Sequence, residues 1–413
     1  LFCSLGCPLS VEEYAPQRWR AAPVEERKLC ARGLMTPDLI HSDARLYRPA
    51  GRAGVTRLSD ALRRINQRVH HARLTDEPIA LWLDGNTGLE AVVSARSLVR
   101  DWGGTAELLV HLPPCELGAV EGLDAARVPQ AAPERLDEAD ALIVLGNPFA
   151  SHPVIANRLM RWGAARRDTP LIVVDRVSTI TASFTEQHFV CRPGYEYWVL
   201  AALLHMAGWT DTTGPASVTF DEAGLRQLVN DSGVAWERVN RAAMQLRSAQ
   251  RPAVVVAPQA GSTDRWRAVT ELAGRCMGGR HGMIVVLTSS ANALGTSRYC
   301  RRNEIADWAR TRGSSEASRT GVLLIVGWDP SGAYPQATWA PAVERADFVV
   351  LATPFPPAVS GWFDVLLPVA LPAEVGGTYV LANGEATTVG PVLAPPAGVP
   401  TVREILEAIQ TAG

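Results

Sequence analysis

Short, unbroken apolar runs alternate along this chain with segments whose apolar positions recur every three or four residues. The runs lie at 79–83, 107–112, 141–145 and 170–174, and again at 253–257, 284–287, 322–326 and 347–351. Runs of this length with no polar alternation are what a strand buried on both faces requires. Between them, 89–102, 154–167 and 263–276 have helical spacing, and Gly103-Gly104 and Gly278-Gly279 close two of these helices as C-caps. Strands alternating with helices through short loops predict a parallel, doubly wound α/β body.

The pattern is written twice. The run 141–145 enters Gly146-Asn147-Pro148 with a second proline at Pro153, and the run 322–326 enters Gly327-Trp328-Asp329-Pro330 with a second proline at Pro335. Glycine lets backbone approach a ligand closely and proline holds the turn. The same succession of elements that starts at 79 starts again at 253. This predicts two homologous halves, roughly 75–205 and 250–370, and a domain division of 71–207 and 250–413. A connector at 208–249 joins them, with Thr210, Asp211, Thr213 and Gly214 before a helical pattern. Residues 1–70 stand outside the repeat. There, Leu58, Leu62 and Ile65 predict an amphipathic helix with Ser59 as a candidate N-cap, and its arginines read as a solvated face. Residues 402–409 predict a last helix.

Composition narrows the picture modestly. Apolar residues make up 47% and the formal net charge is −2, so neither nucleic acid nor an anionic membrane is an expected partner. No apolar run approaches the roughly 18 residues of a membrane span, which excludes membrane insertion, and no signal peptide is visible. The seven cysteines do not form a dense disulfide framework, so a cytoplasmic setting is expected. Cys3, Cys7 and Cys30 fall in a small N-terminal segment that metal ligation would staple. A 4Fe–4S cluster takes four thiolates, and the fourth is expected just before Leu1. Free cysteines are the alternative. The fold class is therefore two duplicated parallel-sheet halves behind a small Cys-rich segment of iron–sulfur type.

Strand ends carry the candidate chemistry. In open α/β sheets ligands lie at the carboxyl ends of the strands, and backbone amides at helix starts favour phosphate. Those ends bear Gly85, Gly88, Gly146, Asn147, Asp175, Gly261, Ser262, Gly295, Gly327 and Asp329. Two matching sets suit a ligand with two similar halves. A duplicated sheet with short loops needs glycines in any case.

Four passages together resemble the molybdopterin oxidoreductase superfamily. Cys3, Cys7 and Cys30-Ala31-Arg32-Gly33 look like the last three cysteines of its iron–sulfur motif, and the stretch from His41 through Arg45 to Pro49 looks like the segment after it. Gly146 to Pro153, with Asp175 and Arg192-Pro193-Gly194, is similar to the first dinucleotide half. Asp364 to Glu374, then Gly376-Gly377-Thr378 and Asn383-Gly384-Glu385, matches the closing signature. Without a C-terminal barrel after these passages, the chain resembles the B-type subunit of formylmethanofuran dehydrogenase. It also resembles the B-type subunit of the bacterial formyltransferase/hydrolase complex, where the redox centre is lost.

The resemblance implies a molybdopterin guanine dinucleotide with Mo or W and a 4Fe–4S cluster held by Cys3, Cys7 and Cys30. It implies partner subunits, one of them barrel-type, and a furan-type one-carbon carrier. Cys115, in His111-Leu112-Pro113-Pro114-Cys115-Glu116, stands where the dehydrogenase subunit carries its metal-ligating cysteine, and a thiolate suits Mo or W. Glu116 replaces the family's histidine and is a candidate acid or base. Gly85, Asn86, Gly146, Asn147, Asp175, Ser178, Gly261, Asn292, Gly327 and Asp329 are the expected cofactor-binding positions. Asn292 stands in the second half where Cys115 stands in the first. Asp175 lacks the proline that usually follows it, and Trp328 is the place where the cleft is expected to be blocked. His152 is read as a structural histidine.

Overall fold

The structure is a computed structural model that describes all residues except 1–2, 17, 25–27, 53, 167–168, 210–220, 301–318, 328, 331–335, 360 and 411–413. The expectations placed on Trp328, Pro335, Thr210, Asp211, Thr213 and Gly214 lie outside the described residues.

The N-terminal segment contains an antiparallel hairpin of β1 (Leu9–Ala15) and β2 (Arg18–Pro23). The strands β3 (Ala50–Gly51) and β4 (Gly54–Val55) follow. The α/β body runs through β5 (Ile79–Asp84), β6 (Ala106–His111), β7 (Ala141–Gly146), β8 (Leu171–Asp175) and β9 (Gln187–Val190). It continues through β10 (Pro252–Ala257), β11 (Met283–Val286), β12 (Val322–Val326), β13 (Val349–Thr353) and β14 (Val365–Pro368). A hairpin of β15 (Gly377–Val380) and β16 (Ala386–Val389) comes last. The helices Leu89–Trp102 and Thr263–Gly279 lie where the periodicity puts them. The amphipathic helix runs Leu58–Leu74 with Arg57 at the cap, so Ser59 falls inside the first turn.

The strands assemble differently from the order in which they are written. One sheet has the order β4-β3-β14-β13-β12-β5-β6 and the other β11-β10-β7-β8-β9. Each therefore takes strands from both stretches, and neither of these two sheets is built from 71–207 or 250–413 alone. After β6 the chain crosses to the second sheet, stays there through β11, and returns at β12. Within the body all pairings are parallel; β3 joins the first sheet antiparallel against β14, and β4 pairs antiparallel with β3. The two orders correspond strand for strand, with β5, β6, β12, β13 and β14 matching β10, β11, β7, β8 and β9.

Two contacts hold the sheets in place. The helix Pro114–Ala126 of the first sheet presses on the helix Thr263–Gly279 of the second. A Cβ at Gly118 would lie 2.1 Å from the Thr263 carbonyl oxygen, and one at Gly122 would lie 2.4 Å from that of Arg267. The two backbones meet because these residues lack side chains. One buried core runs through both sheets, joining Leu81 and Leu324 to Ile143 and Val254. The second contact is a buried ion pair. Arg45 donates from Nη1 to Glu374 Oε1 at 2.9 Å and from Nη2 to Oε2 at 3.0 Å, and both side chains are fully buried. Arg45 also donates to the Ile40 carbonyl, and Glu374 accepts from the Leu371 amide. The N-terminal segment is thus clamped to the segment before β15.

Gly118→Ala should destabilise the chain by about 1–3 kcal/mol through overpacking, measured by urea unfolding. Glu374→Ala leaves a buried, unpaired guanidinium and should cost about 3–5 kcal/mol, whereas replacing Arg45 and Glu374 together by Met and Leu should cost far less. Equal losses for the single and double variants would contradict this account.

Candidate functional site

The expected residues gather at two places that the topology defines. In the first sheet the chain moves outward from β5 to β6 on one side and from β12 to β14 on the other. In the second it moves from β10 to β11 and from β7 to β9. The reversals fall between β12 and β5 and between β10 and β7. At such switch points the loops diverge and leave a crevice at the carboxyl ends of the strands. Gly85, Asn86, Gly327 and Asp329 stand at the first reversal, and Gly146, Asn147 and Gly261 at the second. Asp175 ends the next strand over.

Much of the glycine requirement is met by the chain itself. Gly146 has φ +89°, and a Cβ there would lie 2.2 Å from the Ala257 carbonyl oxygen across the second reversal. Gly327 has φ +101°, with Asp84 Cβ 3.1 Å from its own Cβ position across the first. Gly85 is filled by Leu112 and Ser290, and Gly261 by Trp266 and Arg265. These glycines let neighbouring strand-end loops touch.

Cys115 lies in the first turn of the helix Pro114–Ala126 rather than in a loop, because Pro114 at the first helical position starts the helix one residue earlier. It is 9% exposed. Burial, with the adjacent Glu116 charge, pushes its thiol up to about 12. Glu116 is also buried, and its oxygens are engaged. Oε1 accepts from the Ser289 amide at 2.6 Å and from the Ser289 hydroxyl, and Oε2 accepts from the Ser290 amide at 3.2 Å. Asn86 Oδ1 accepts from the Ala291 amide at 2.7 Å. Asn292, fully buried, donates to the Thr87 carbonyl at 2.6 Å and accepts from the Val380 amide at 2.8 Å. The loop after β11 is thereby tied to β5, β6 and β15 at once.

Other expected residues are more dispersed. Asp175 accepts from the Arg176 amide at 2.7 Å and from Thr179 at 3.4 Å. Asn147 accepts from Thr181 at 2.8 Å, and Asp329 from the Ala358 amide at 2.9 Å. Ser178 is exposed. His152 is buried between the Thr288 carbonyl at 3.0 Å and Ser151 at 2.8 Å, and burial lowers it to about 4, so it stands neutral as a structural residue. Cys3, Cys7 and Cys30 are free and partly buried. Burial first, and then the charges of Cys3 and Cys30, raise Cys7 to about 11. Among the described residues, no three His, Cys, Asp or Glu side chains converge as a metal-holding group.

Three groups were missed from the sequence. Asp84 ends β5 as Asp175 ends β8, a signal applied to one and not the other. Burial pushes its carboxyl up to about 6 against hydrogen bonds from Asn86, and the Glu116 charge adds to the rise. Glu196 and Arg265 carry no sequence signal, since they meet only in three dimensions. Glu196 Oε1 lies 3.6 Å from both Arg176 Nε and Arg265 Nη1, beyond hydrogen-bond reach, and Arg265 Nη1 has no hydrogen-bond partner. These unsatisfied groups stand beside Gly261 at the second reversal.

This donor set fits a nucleotide-bearing metal cofactor: Cys115 supplies a soft donor near the first reversal, and Glu196 and Arg265 leave polar atoms free near the second. The three N-terminal thiols match a cluster in type but, among the described residues, do not converge as a metal-holding group.

Comparison with known proteins agrees with the fold. The chain is 26% identical to an assimilatory nitrate reductase of Haloferax mediterranei, over 94% of this chain and 61% of that protein. It is 23% identical to a nitrate reductase of Klebsiella oxytoca, over 54% of this chain and 27% of that one. It is 25% identical to the alpha subunit of a formate dehydrogenase of Methanococcus maripaludis, over 50% and 32% respectively. The chain thus covers less than two thirds of each of these relatives. Among solved structures, acetylene hydratase from Pelobacter acetylenicus shares the fold with a TM-score of 0.77, over 100% of this chain and 68% of that one, at 12% identity. No family model matches. The relatives are oxidoreductases, and the mixed α/β fold with its parallel sheets is consistent with a molybdopterin oxidoreductase. No helix among the described residues is long and apolar enough to cross a membrane.

The raised Asp84 carboxyl has a defined consequence. Between the unperturbed 3.8 and about 6 the folded chain binds more protons than the unfolded one, so this group's contribution to stability falls as pH rises through that window. Asp84→Asn should therefore gain stability relative to the parent from pH 4 to 6 and hold a constant gain of about 3 kcal/mol above it. Chemical denaturation at a series of pH values measures this; a difference independent of pH would show that Asp84 titrates normally.

Proposed function

We propose that this chain is the B-type component of a formylmethanofuran dehydrogenase type complex in one-carbon metabolism. It interconverts a carrier-bound formyl group with CO2 at a molybdenum or tungsten pterin centre. The observation that carries the reading is the pair of switch points in two sheets of matching order, with Cys115 beside the first. A ligand of two similar dinucleotide halves would match two similar switch points. Gly85, Asn86, Asn292, Gly327 and Asp329 would line one half, and Gly146, Asn147, Asp175, Ser178 and Gly261 the other.

Cys115 would ligate the metal as a thiolate. Its high intrinsic proton affinity means that a cation must displace the proton, as metals do at buried thiols. The metal centre, when bound, supplies the two-electron acceptor for oxidation of the formyl carbon. Water adds its oxygen to that carbon, the carrier amine leaves, and two protons are released with the electrons. Asp84 is the buried carboxyl near Glu116 that is suited to take up a proton near neutral pH. Glu116, with its oxygens committed to Ser289 and Ser290, serves to hold the loop rather than to exchange protons. Partner subunits, including a barrel-type one, would close the crevices and present the furan-type carrier. The formate dehydrogenase relative supports a one-carbon substrate.

A second reading is favoured by Glu116 itself. A carboxylate fastened next to a buried thiol, with neighbouring loops stitched together, also suits a scaffold subunit of a formyltransferase/hydrolase complex from which the redox centre has gone. Metal analysis of the complex purified without oxygen separates the two. The redox reading expects about one Mo or W per chain with formyl oxidation, and loss of that oxidation in Cys115→Ser. A fully assembled complex with neither metal, whose formyl transfer is untouched by Cys115→Ser, would establish the scaffold instead.

A further inference from the structure

The loop after β11 is held in an unusual way. Four consecutive backbone amides donate to side-chain oxygens from three other segments. Thr288 N donates to Ser4 Oγ at 3.0 Å, Ser289 N and Ser290 N to the two oxygens of Glu116 at 2.6 and 3.2 Å, and Ala291 N to Asn86 at 2.7 Å. Successive amides turned to one side form a concavity that accepts an anion. Here the central anion is the Glu116 carboxylate, supplied by the residue next to Cys115. Ser4, at the other end, lies between Cys3 and Cys7 and is 2% exposed. Its own amide donates to the Thr288 carbonyl at 3.0 Å, and its carbonyl accepts from the Ala382 amide at 2.8 Å.

We propose that Glu116 is a positioning residue: its carboxylate fills the amide concavity of residues 288–291 and thereby joins the Cys3–Cys7 loop and Cys115 into one mechanical unit. From Ser4 to Cys115 the connection is a hydrogen bond to Thr288, one peptide link to Ser289, a hydrogen bond to Glu116 and one more peptide link. No flexible side chain intervenes except Glu116, which is pinned at both oxygens. Displacing the cysteine loop displaces Thr288, and the strain reaches Cys115 through the carboxylate. Buried charge-assisted bonds of this kind are costly to break, so the unit moves as one or opens as one. The inference takes Cys115 as the reacting group, as proposed above. Its test needs no metal, so it stands or falls separately from the metal analysis.

The test is the rate at which Cys115 is alkylated by N-ethylmaleimide in the metal-free full chain, followed by peptide mass spectrometry. Cys191, Cys276 and Cys300, all buried, serve as internal references. Glu116→Ala should accelerate Cys115 by on the order of tenfold or more, while the reference cysteines keep their rates. Millimolar acetate or formate should slow Cys115 again by refilling the concavity. Ser4→Ala should also accelerate Cys115, and the double variant should react no faster than the faster single variant. If Glu116→Ala folds poorly, Glu116→Gln, which retains one acceptor oxygen, should give a smaller acceleration of Cys115 alone. The proposal is overturned if Cys115 keeps its rate in the Glu116 variants. It is equally overturned if all four cysteines accelerate together without rescue by acetate or formate, or if the Ser4 and Glu116 effects simply multiply.

Discussion

Everything near the candidate site depends on how closely two helices approach. Gly118 and Gly122 bring the backbone of Pro114–Ala126 against that of Thr263–Gly279, where any side chain would collide with a carbonyl oxygen. That contact sets the start of the first helix beside the end of β11. Only because of it does Glu116 reach the amides of Ser289 and Ser290, and only through those bonds does Cys115 stand at a junction of both sheets. A wider spacing would leave Glu116 a buried carboxylate without donors, which is costly in a protein interior.

The site that results is crowded with internal partners. Asn292, Asn86 and Glu116 spend their hydrogen-bonding capacity on neighbouring loops, and the strand-end glycines are occupied by neighbouring atoms. Two groups stand apart from this bonding: Asp84, whose carboxyl is raised by burial although it accepts from Asn86, and the Glu196–Arg265 pair, whose Glu196 Oε1 and Arg265 Nη1 lack hydrogen-bond partners. The first lies by Cys115 and the second by Gly261, one at each reversal. A buried, partly unsatisfied distribution of this kind is a common mark of functional positions. It is compatible with a two-part cofactor, and the same internal bonding would let the body persist if the cofactor were lost.

The N-terminal segment belongs to this arrangement and is not an appendage. Arg45 and Glu374 clamp it to the chain before β15, and Ser4 docks the cysteine loop on Thr288. Both Arg45 and Glu374 lie in passages that resemble family signatures. Their shared role is plain in space: the two fully buried side chains pair through both oxygens of Glu374 and both terminal nitrogens of Arg45.

Element by element, much of this was legible in the chain. The continuous run at 253–257 is a strand, 89–102 is a helix, and the Gly-Asn-Pro turn after Gly146 sits at a strand end, because these features depend on local periodicity and on the backbone limits of Gly and Pro. Asp84 was within reach of the same reasoning that picked out Asp175. Which strands share a sheet was not legible. A strand buried on both faces has no polar side to mark its partner or register, so Val254-Val255-Val256 is equally suited to several neighbours. The crossing of the chain between sheets after β6 and its return at β12 therefore emerge only from packing. The partners of Glu116, Glu196 and Arg265 likewise lie far off in sequence and are chosen by the fold. Sequence alone determined the elements and the chemistry carried at their ends; tertiary structure decided which ends meet, because long-range pairing of uniformly apolar strands is a property of the whole core.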